Sequence, residues 1–401
     1  MVTPECADHS VQALRQTRSR RLDKYCVPVI RWREGTVTAV VRRWSGAVEI
    51  DVAVMPRTVG DAAAVRALAY PRLVGDPLVG DRVLLNVSAL ALGLGTGGYA
   101  LVVALPDRLP DDDASLTDRA GGHMVKARYT PQQAIVLGVD EDASPHRTAM
   151  AAATDLGGMP VVVADLHSAL PAIVAGVTAT RPGTRVAYVM TDGAALPAWF
   201  SRTLDGLRTL LAGTVTVGQA YGGDLEATNV HSGLLAARHV LDADVTVVTQ
   251  GPGNLGTGTE WGFSGTAAGE AINAAAVLGG RPIGSLRISG ADTRDRHRGV
   301  SHHSLTAYGR VALARADLVV PAGLPEPLAS DVAAGLASLA NRHAIVEVST
   351  DGLDASLRDL PVRLSTMGRD LDRDHAYFLA AAAAGRHAAT LLASDPPPTG
   401  A

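Results

Sequence analysis

The sequence predicts an α/β protein in two parts: a small N-terminal β-barrel-like or sandwich domain, then a mostly parallel, doubly wound α/β sheet domain. Three observations predict it. From about residue 134 onward, short β-branched runs alternate with Ala- and Leu-rich stretches at the spacing of βαβ units. Hydrophobic residues make up 47% of the 401-residue chain but aromatics only 4%, so the core is built from small and β-branched aliphatics, as in parallel strands buried on both faces. Between residues 27 and 105 the apolar pattern instead has period two and is broken by turn residues. A chain of 401 residues also favours two domains over one.

Residues 1–28 carry Arg15, Arg18, Arg20, Arg21 and Lys24 and no apolar run of the signal-peptide kind, and read as a disordered extension. In the β domain, 29–106, Val48, Ile50, Val52 and Val54 alternate with Glu49 and Asp51 after Trp44-Ser45-Gly46, a hairpin pattern with one wet face. The uncharged stretch Asn86–Pro106 is long enough to cross a bilayer. Its four glycines, with Asn86, Ser88 and Thr96, favour a buried pair of strands instead. Residues 107–122, with Asp107, Asp111, Asp112, Asp113 and Asp118, form an acidic linker. The α/β domain, 123–393, offers eight strands: Ile135–Val139, Val161–Ala164, Val186–Met190, Thr214–Val217, Val245–Thr249, Ile283–Ile288, Leu318–Val320 and Ile345–Val348. Helix candidates between them include Leu166–Thr178, Leu196–Leu211, Val230–Val240, Ser264–Leu278 and Pro327–Ala340, and a terminal helix Leu379–Leu392 precedes a disordered tail, 394–401.

Charge and cysteine content narrow the function. With 36 basic and 40 acidic residues the chain has no global field for a polyanion, so nucleic acid is not the default partner. A membrane partner is not expected either, and a homo-oligomer is compatible with the sequence. Cys6 and Cys26 are the only cysteines, which excludes thiolate chemistry and a disulfide framework from the rest of the chain and points to a reducing cytoplasm. Chemistry must rest on His, Asp, Glu, Arg and backbone amides.

In an open parallel sheet, ligands bind beyond the carboxyl ends of the strands. Polar residues collect there: Asp165 and His167 after the second strand, Asp192 after the third, Asp224 and Glu226 after the fourth. After the fifth comes Gln250-Gly-Pro-Gly-Asn-Leu-Gly-Thr-Gly-Thr259, ahead of a helix opening near Phe263-Ser264. Gly251, Gly253, Asn254, Gly256, Thr257, Gly258 and Thr259 suit an anion cradle, in which backbone N–H groups approach a phosphate or carboxylate. The loop matches neither the P-loop nor the dinucleotide fingerprint, so no cofactor is assigned, and a plain wide turn stays open as the other account. After the sixth strand, Arg294, Arg296, Arg298, Ser301, His302 and His303 crowd together, with Asp292 and His297 among them. Forked guanidinium contacts would hold an anion, and His302 or His303 could act as a general base. A solvated charged loop is the plainer alternative.

Asp224 and Glu226 are an acid/base candidate pair, or else caps of the helix that follows. Lys126 and Arg128, just before the sheet, could close over its edge or only dock one domain on the other. His302 and His303 with Asp292 and Asp224 could also meet a metal, but adjacent histidines without a fixed partner spacing are weak metal evidence, and no metal ligand is assigned. His167 reads as a core or capping residue, and Trp261, next to the glycine loop, as a possible ligand wall. There is no G-x-S-x-G elbow.

Val29-Ile-Arg-Trp32-Arg-Glu34-Gly35, Leu92-Gly-Leu-Gly95-Thr96-Gly97-Gly98, Lys126-Ala-Arg128-Tyr129-Thr130-Pro131, Gln250 to Thr259 and Arg298-Gly-Val-Ser301-His302-His303 resemble the bacterial family catalogued as domain of unknown function 3866, from about residue 29 to 390. The resemblance implies a cytoplasmic bacterial protein, with residues 1–28 outside the shared unit. It carries over no activity. Two functions are therefore expected in competition. One is binding of, or action on, a small anionic, phosphorylated or nucleotide-like molecule at the carboxyl edge of the sheet. The other is a non-catalytic scaffold whose β domain binds a macromolecular partner.

Overall fold

A computed structural model describes residues 30–55, 62–111 and 122–392. The expected extension 1–28, most of the acidic linker and the tail 394–401 lie outside the described residues. The chain divides into two units at Pro110/Asp111, with Trp44–Gly46 counted in the second.

The first unit is a closed five-stranded barrel of β1 (Trp32–Trp44), β2 (Ala47–Val54), β3 (Ala64–Ala69), β4 (Arg82–Asn86) and β5 (Ala100–Ala104), in the order β1-β2-β3-β5-β4. Closure leaves no strand edge unpaired. Val48, Ile50 and Val52 of β2 point inward as the alternation requires. The face expected to be wet is partly covered, since Glu49 is buried and accepts a 3.0 Å hydrogen bond from the Tyr99 hydroxyl. The Asn86–Pro106 stretch yields one strand and not two. Its first half turns through a short helix, Ser88–Ala91, and an exposed loop with Leu92 and Leu94, because Gly97 and Gly98 at positive φ bring the chain round before β5 can start.

The second unit starts with a short antiparallel pair, β6 (Met124–Lys126) and β7 (Ala134–Val136). There follow β8 (Pro160–Val163), β9 (Val186–Thr191), β10 (Gly213–Val217), β11 (Leu225–Ala227), β12 (Val245–Gln250) and β13 (Arg281–Ser285). A two-stranded ribbon, β14 (Ile288–Ser289) with β15 (Gly299–Val300), precedes β16 (Asp317–Pro321) and β17 (Ala344–Val348). Eight of these form one all-parallel sheet in the order β11-β10-β9-β12-β8-β13-β16-β17. The strand expected at Ile135–Val139 is not in it: residues 134–136 pair with β6, and only Gly138 reaches the sheet, through one bridge to Glu226. Its place is taken by β11, three residues too short to register as a strand pattern. The expected helix Leu196–Leu211 shrinks to Arg202–Leu207, capped by the Ser201 hydroxyl.

Both faces of the sheet are covered. Val161, Val163, Ala187 and Val189 pack with helices Val230–His239 and Ala267–Val277, while Val162, Val186, Tyr188 and Met190 pack with helices Leu170–Thr180 and His375–Thr390. Successive residues of one strand thus serve opposite layers, the pattern behind near-continuous apolar runs. The last two helices cross so closely that a Cβ at Gly176 would strike the Ala382 carbonyl, and one at Gly385 the Ile173 carbonyl. Among the described residues, no helix is long and apolar enough to cross a membrane.

The crossing makes a direct prediction. Gly176→Val should lower the unfolding free energy by about 1–3 kcal/mol through overpacking, read from urea denaturation. An unchanged value would mean that the two helices do not touch as described.

Candidate functional site

Helix Leu170–Thr180, which follows β8, covers one face of the sheet, and helix Ala267–Val277, which follows its neighbour β12, covers the other. The carboxyl ends of β8 and β12 therefore part at a switch point of the topology, where a crevice opens. Asp165 leaves β8 there and Gln250 ends β12, and with Thr191, Ser264 and Gly265 they line a small cleft. Among the described residues four buried side-chain polar atoms lack a hydrogen-bond partner: Asp165 Oδ2, Gln250 Oε1, Gln219 Nε2 and His302 Nε2. Asp165, Gln219 and Gln250 sit at carboxyl ends of strands, Gln219 at that of β10, and His302 lies against Phe263. Unpaired buried polar atoms are costly, so their concentration on one edge makes that edge the candidate site. A roomier cleft lies elsewhere, at the amino edge between Gly157–Pro160, Arg181–Thr184, Arg238 and Asp244. No unpartnered buried atom belongs to it.

The segment after β13 is organised by Asp292. This carboxylate is 1% exposed, accepts from Arg294 Nε at 2.9 Å and Nη2 at 2.8 Å, and receives Arg369 Nη2 at 3.1 Å and Arg287 Nη2 at 3.5 Å. The Arg294 guanidinium holds its acid far below the usual carboxylate range. Arg369 also reaches Asp374, which accepts from the Ser289 hydroxyl. Folded on this frame, the chain brings three imidazoles together: one ring nitrogen from each of His297, His302 and His303 lies within 4.8 Å of the other two. Ser301, fully buried, faces His297 Nδ1 at 2.7 Å and caps helix His302–Thr306 through the His303 N–H. His303 stacks on Phe263 at 3.9 Å, with its Nδ1 3.8 Å from Asp165 Oδ2. Burial keeps His302 and His297 neutral, with pKa values down to about 4 and about 3, helped by the neighbouring cations.

The glycine loop meets this segment. Gly256 bridges to Phe263, the ring on which His303 stacks, and the Arg296 guanidinium lies 3.7 Å from where a Cβ of Gly258 would stand. Gly253 and Gly258 hold φ of +102° and +84°, a region other residues rarely adopt. The loop is closed by its own side chains. Asn254 Oδ1 accepts from Gln250 Nε2 and the Ser264 hydroxyl, Thr257 Oγ1 pairs with Thr259 Oγ1, and the Gly262 N–H donates to Thr259. Gly251 packs against the Ala195 carbonyl. Helical structure opens at Ser264, with a 3-10 turn, Ser264–Thr266, that leads into the α-helix from Ala267.

A family model described as protein of unknown function (DUF3866) matches residues 66–385 of the chain. The chain belongs to this family. No curated protein matches it. The DUF3866 match takes in Asp165, the glycine loop and the whole Arg/His segment, but begins within β3, so β1 and β2 lie outside it.

The remaining candidate residues of this DUF3866 protein sit apart from the histidines. Asp224 precedes β11 and binds the amide and hydroxyl of Thr214, at the start of β10. It is therefore on the amino edge, because the unforeseen strand β11 carries the chain back before running parallel to β10. Glu226 is buried in β11, accepting from the Thr216 hydroxyl at 2.7 Å and facing Lys126 Nζ at 3.3 Å. Lys126, fully buried, also donates to the Gly218 and Ala220 carbonyls. Desolvation drives both groups toward neutrality, lowering the lysine and raising the glutamate, against their mutual attraction. The pair ties β6 to the ends of β10 and β11. Arg128 is exposed nearby, its amide bonded to Gln219, with β9, β12 and β8 between that strand end and β13. Arg294 is committed to Asp292, whereas Arg296 and Arg298 are exposed and have no side-chain partner among the described residues. Exposed Trp261 lies under the Arg310 guanidinium at 5.3 Å.

Three contributors were not among the sequence's assigned site residues: His297, Asp165 and Phe263. The four-residue spacing of His297 and Ser301 was readable, but the stacking of His303 on Phe263 joins segments 40 positions apart in the numbering.

His167 is buried between the Tyr188 hydroxyl at 3.0 Å and the Ser201 hydroxyl at 2.7 Å, and burial lowers its pKa from 6.5 to about 4. The unfolded chain thus takes up this proton first, so the stability held above pH 6.5 falls as the pH drops towards 4. In urea unfolding the wild type should lose about 3 kcal/mol relative to His167→Gln between about pH 7 and pH 4. Parallel profiles would contradict the burial of a neutral imidazole.

Proposed function

We propose that the protein binds or acts on a small anionic molecule, phosphorylated or nucleotide-like, at the carboxyl edge of its parallel sheet. The observation that carries this is the meeting of Gly258 with Arg296, which joins the glycine loop to the arginine segment. Arg287, Arg294 and Arg369 are engaged by Asp292 and Asp374, so the segment's guanidinium groups without a carboxylate partner are those of Arg296 and Arg298. A phosphate resting against the loop would meet these two forks and the backbone near Gly258. The loop's Asn254, Thr257 and Thr259 set its shape, leaving contact with the anion to the main chain. His302 and His303 are the acid/base candidates beside it.

Thermal unfolding of the full chain with pyrophosphate, ADP and sugar phosphates tests this. An anion that occupies the site at 100 times its Kd should stabilise the fold by about 2.7 kcal/mol. The paired substitution Arg296→Ala with Arg298→Ala should abolish that shift and leave the ligand-free melting temperature close to wild type. Absence of any shift, or a shift that survives the substitution, would overturn the proposal.

A further inference from the structure

We infer that His297, His302 and His303 form a binding site for a divalent transition-metal ion of the zinc type, with Ser301 and Asp165 as the groups that orient two of the rings. The inference stands apart from anion binding, because it rests on the imidazoles and not on the guanidinium groups or the glycine loop, and it makes His302 and His303 metal ligands in place of acid/base groups.

Three features converge. The ring nitrogens of the three histidines lie within 4.8 Å of each other, in a place walled by Phe263. Imidazoles that share a zinc ion bind at about 2.0–2.1 Å and so stand roughly 3.4 Å apart, a closure that small ring rotations supply. Next, Nδ1 of two of the rings faces an oxygen. His297 Nδ1 lies 2.7 Å from the Ser301 hydroxyl, and His303 Nδ1 lies 3.8 Å from Asp165 Oδ2, the arrangement in which an outer oxygen fixes the tautomer of a metal-binding histidine. That leaves Nε2 of each free to face inward. Finally, His302 Nε2 is buried with no partner among the described residues, as is Asp165 Oδ2. A metal would satisfy the first, and a His303 Nδ1 proton pulled toward it would satisfy the second.

Buried carboxylates offset part of the positive charge around the rings. Arg287 lies 3.5 Å from His303 Nδ1 and shares Asp292 with Arg294 and Arg369, and Asp165 adds a second buried carboxylate. Arg287 could instead donate to Nδ1 of His303; metal at Nε2 selects the tautomer that points its proton at Asp165. Three imidazoles leave a coordination position for water or for an oxygen of an anionic ligand, the layout of catalytic zinc rather than of closed structural sites.

The test uses the full-length chain, freed of metal by a chelator and held in phosphate-free buffer. Titration with Co²⁺ should give one ion per chain and the intense visible bands of four- or five-coordinate cobalt, and Zn²⁺ should displace it. Ser301→Ala should weaken binding by about 10–100-fold, and His302→Gln by more than that, with far-UV circular dichroism unchanged in the metal-free proteins. Because a variant can lose its fold, the wild type alone gives a second readout. Imidazole nitrogen NMR should show Zn²⁺ moving Nε2 of His297, His302 and His303 and fixing their Nδ1 protons, with His167 and His343 unmoved. Absence of stoichiometric binding, binding that survives both substitutions, or metal-induced shifts in other histidines would overturn the inference. Anion-induced stabilisation of the metal-free protein is read separately, so either proposal can fail alone.

Discussion

The carboxylate of Asp292 is the point on which the candidate site depends. It is nearly sealed from water and collects Arg287, Arg294 and Arg369, so the net charge there is positive and further held by Asp374 on the arginine side. Such a network contributes little to stability compared with an apolar filling of the same space, but it fixes one geometry because each partner would be stranded without the others. The consequence here is positional. The segment between β13 and helix His302–Thr306 carries few large apolar side chains to anchor it, and the ion cluster takes over that role. Ser289 and Ser301 extend the frame by bonding Asp374 and His297.

The parallel sheet supplies the rest. Because helices on opposite faces follow β8 and β12, the chain parts at their ends, and Asp165 and Gln250 are left buried with oxygens unpaired. Phe263 then acts as the joint between two loops that have no strand pairing with each other: Gly256 bridges to its backbone and His303 stacks on its ring. Electrostatics and packing thus converge on one edge from two directions. The opposite edge has the roomier cleft but spends its polar groups on turns and helix ends, as Arg238 does in donating to the Ala243 carbonyl.

Much of this was legible in the sequence, and what was not has physical causes. The period-two run at Val48–Val54 and the buried runs at Val161, Val186 and Val245 became barrel and sheet, because burial on one or both faces writes directly into residue order. Short β11 was invisible, since three residues held in place by Lys126 and by their neighbour β10 need no pattern of their own, and missing it put Asp224 on the wrong edge. The glycine loop and the Arg/His segment were each visible as local concentrations of unusual residues. Their meeting was an inference from topology alone. What could not be read was allocation: which arginines are consumed by Asp292 and which remain exposed, or that Lys126 is paired with Glu226 inside the fold. Allocation depends on contacts between residues such as Asp292 and Arg369, 77 positions apart, which carry no local signature.

The most direct measurement of the central claim is amide hydrogen exchange in Asp292→Asn, a change that keeps the shape of the side chain and removes its charge. If the ion cluster holds the segment in place, amides of residues 287–303 should lose protection while those of β8, β9 and β12 keep theirs, local opening without global unfolding. Unchanged protection across 287–303 would show that the histidines are gathered by something other than Asp292.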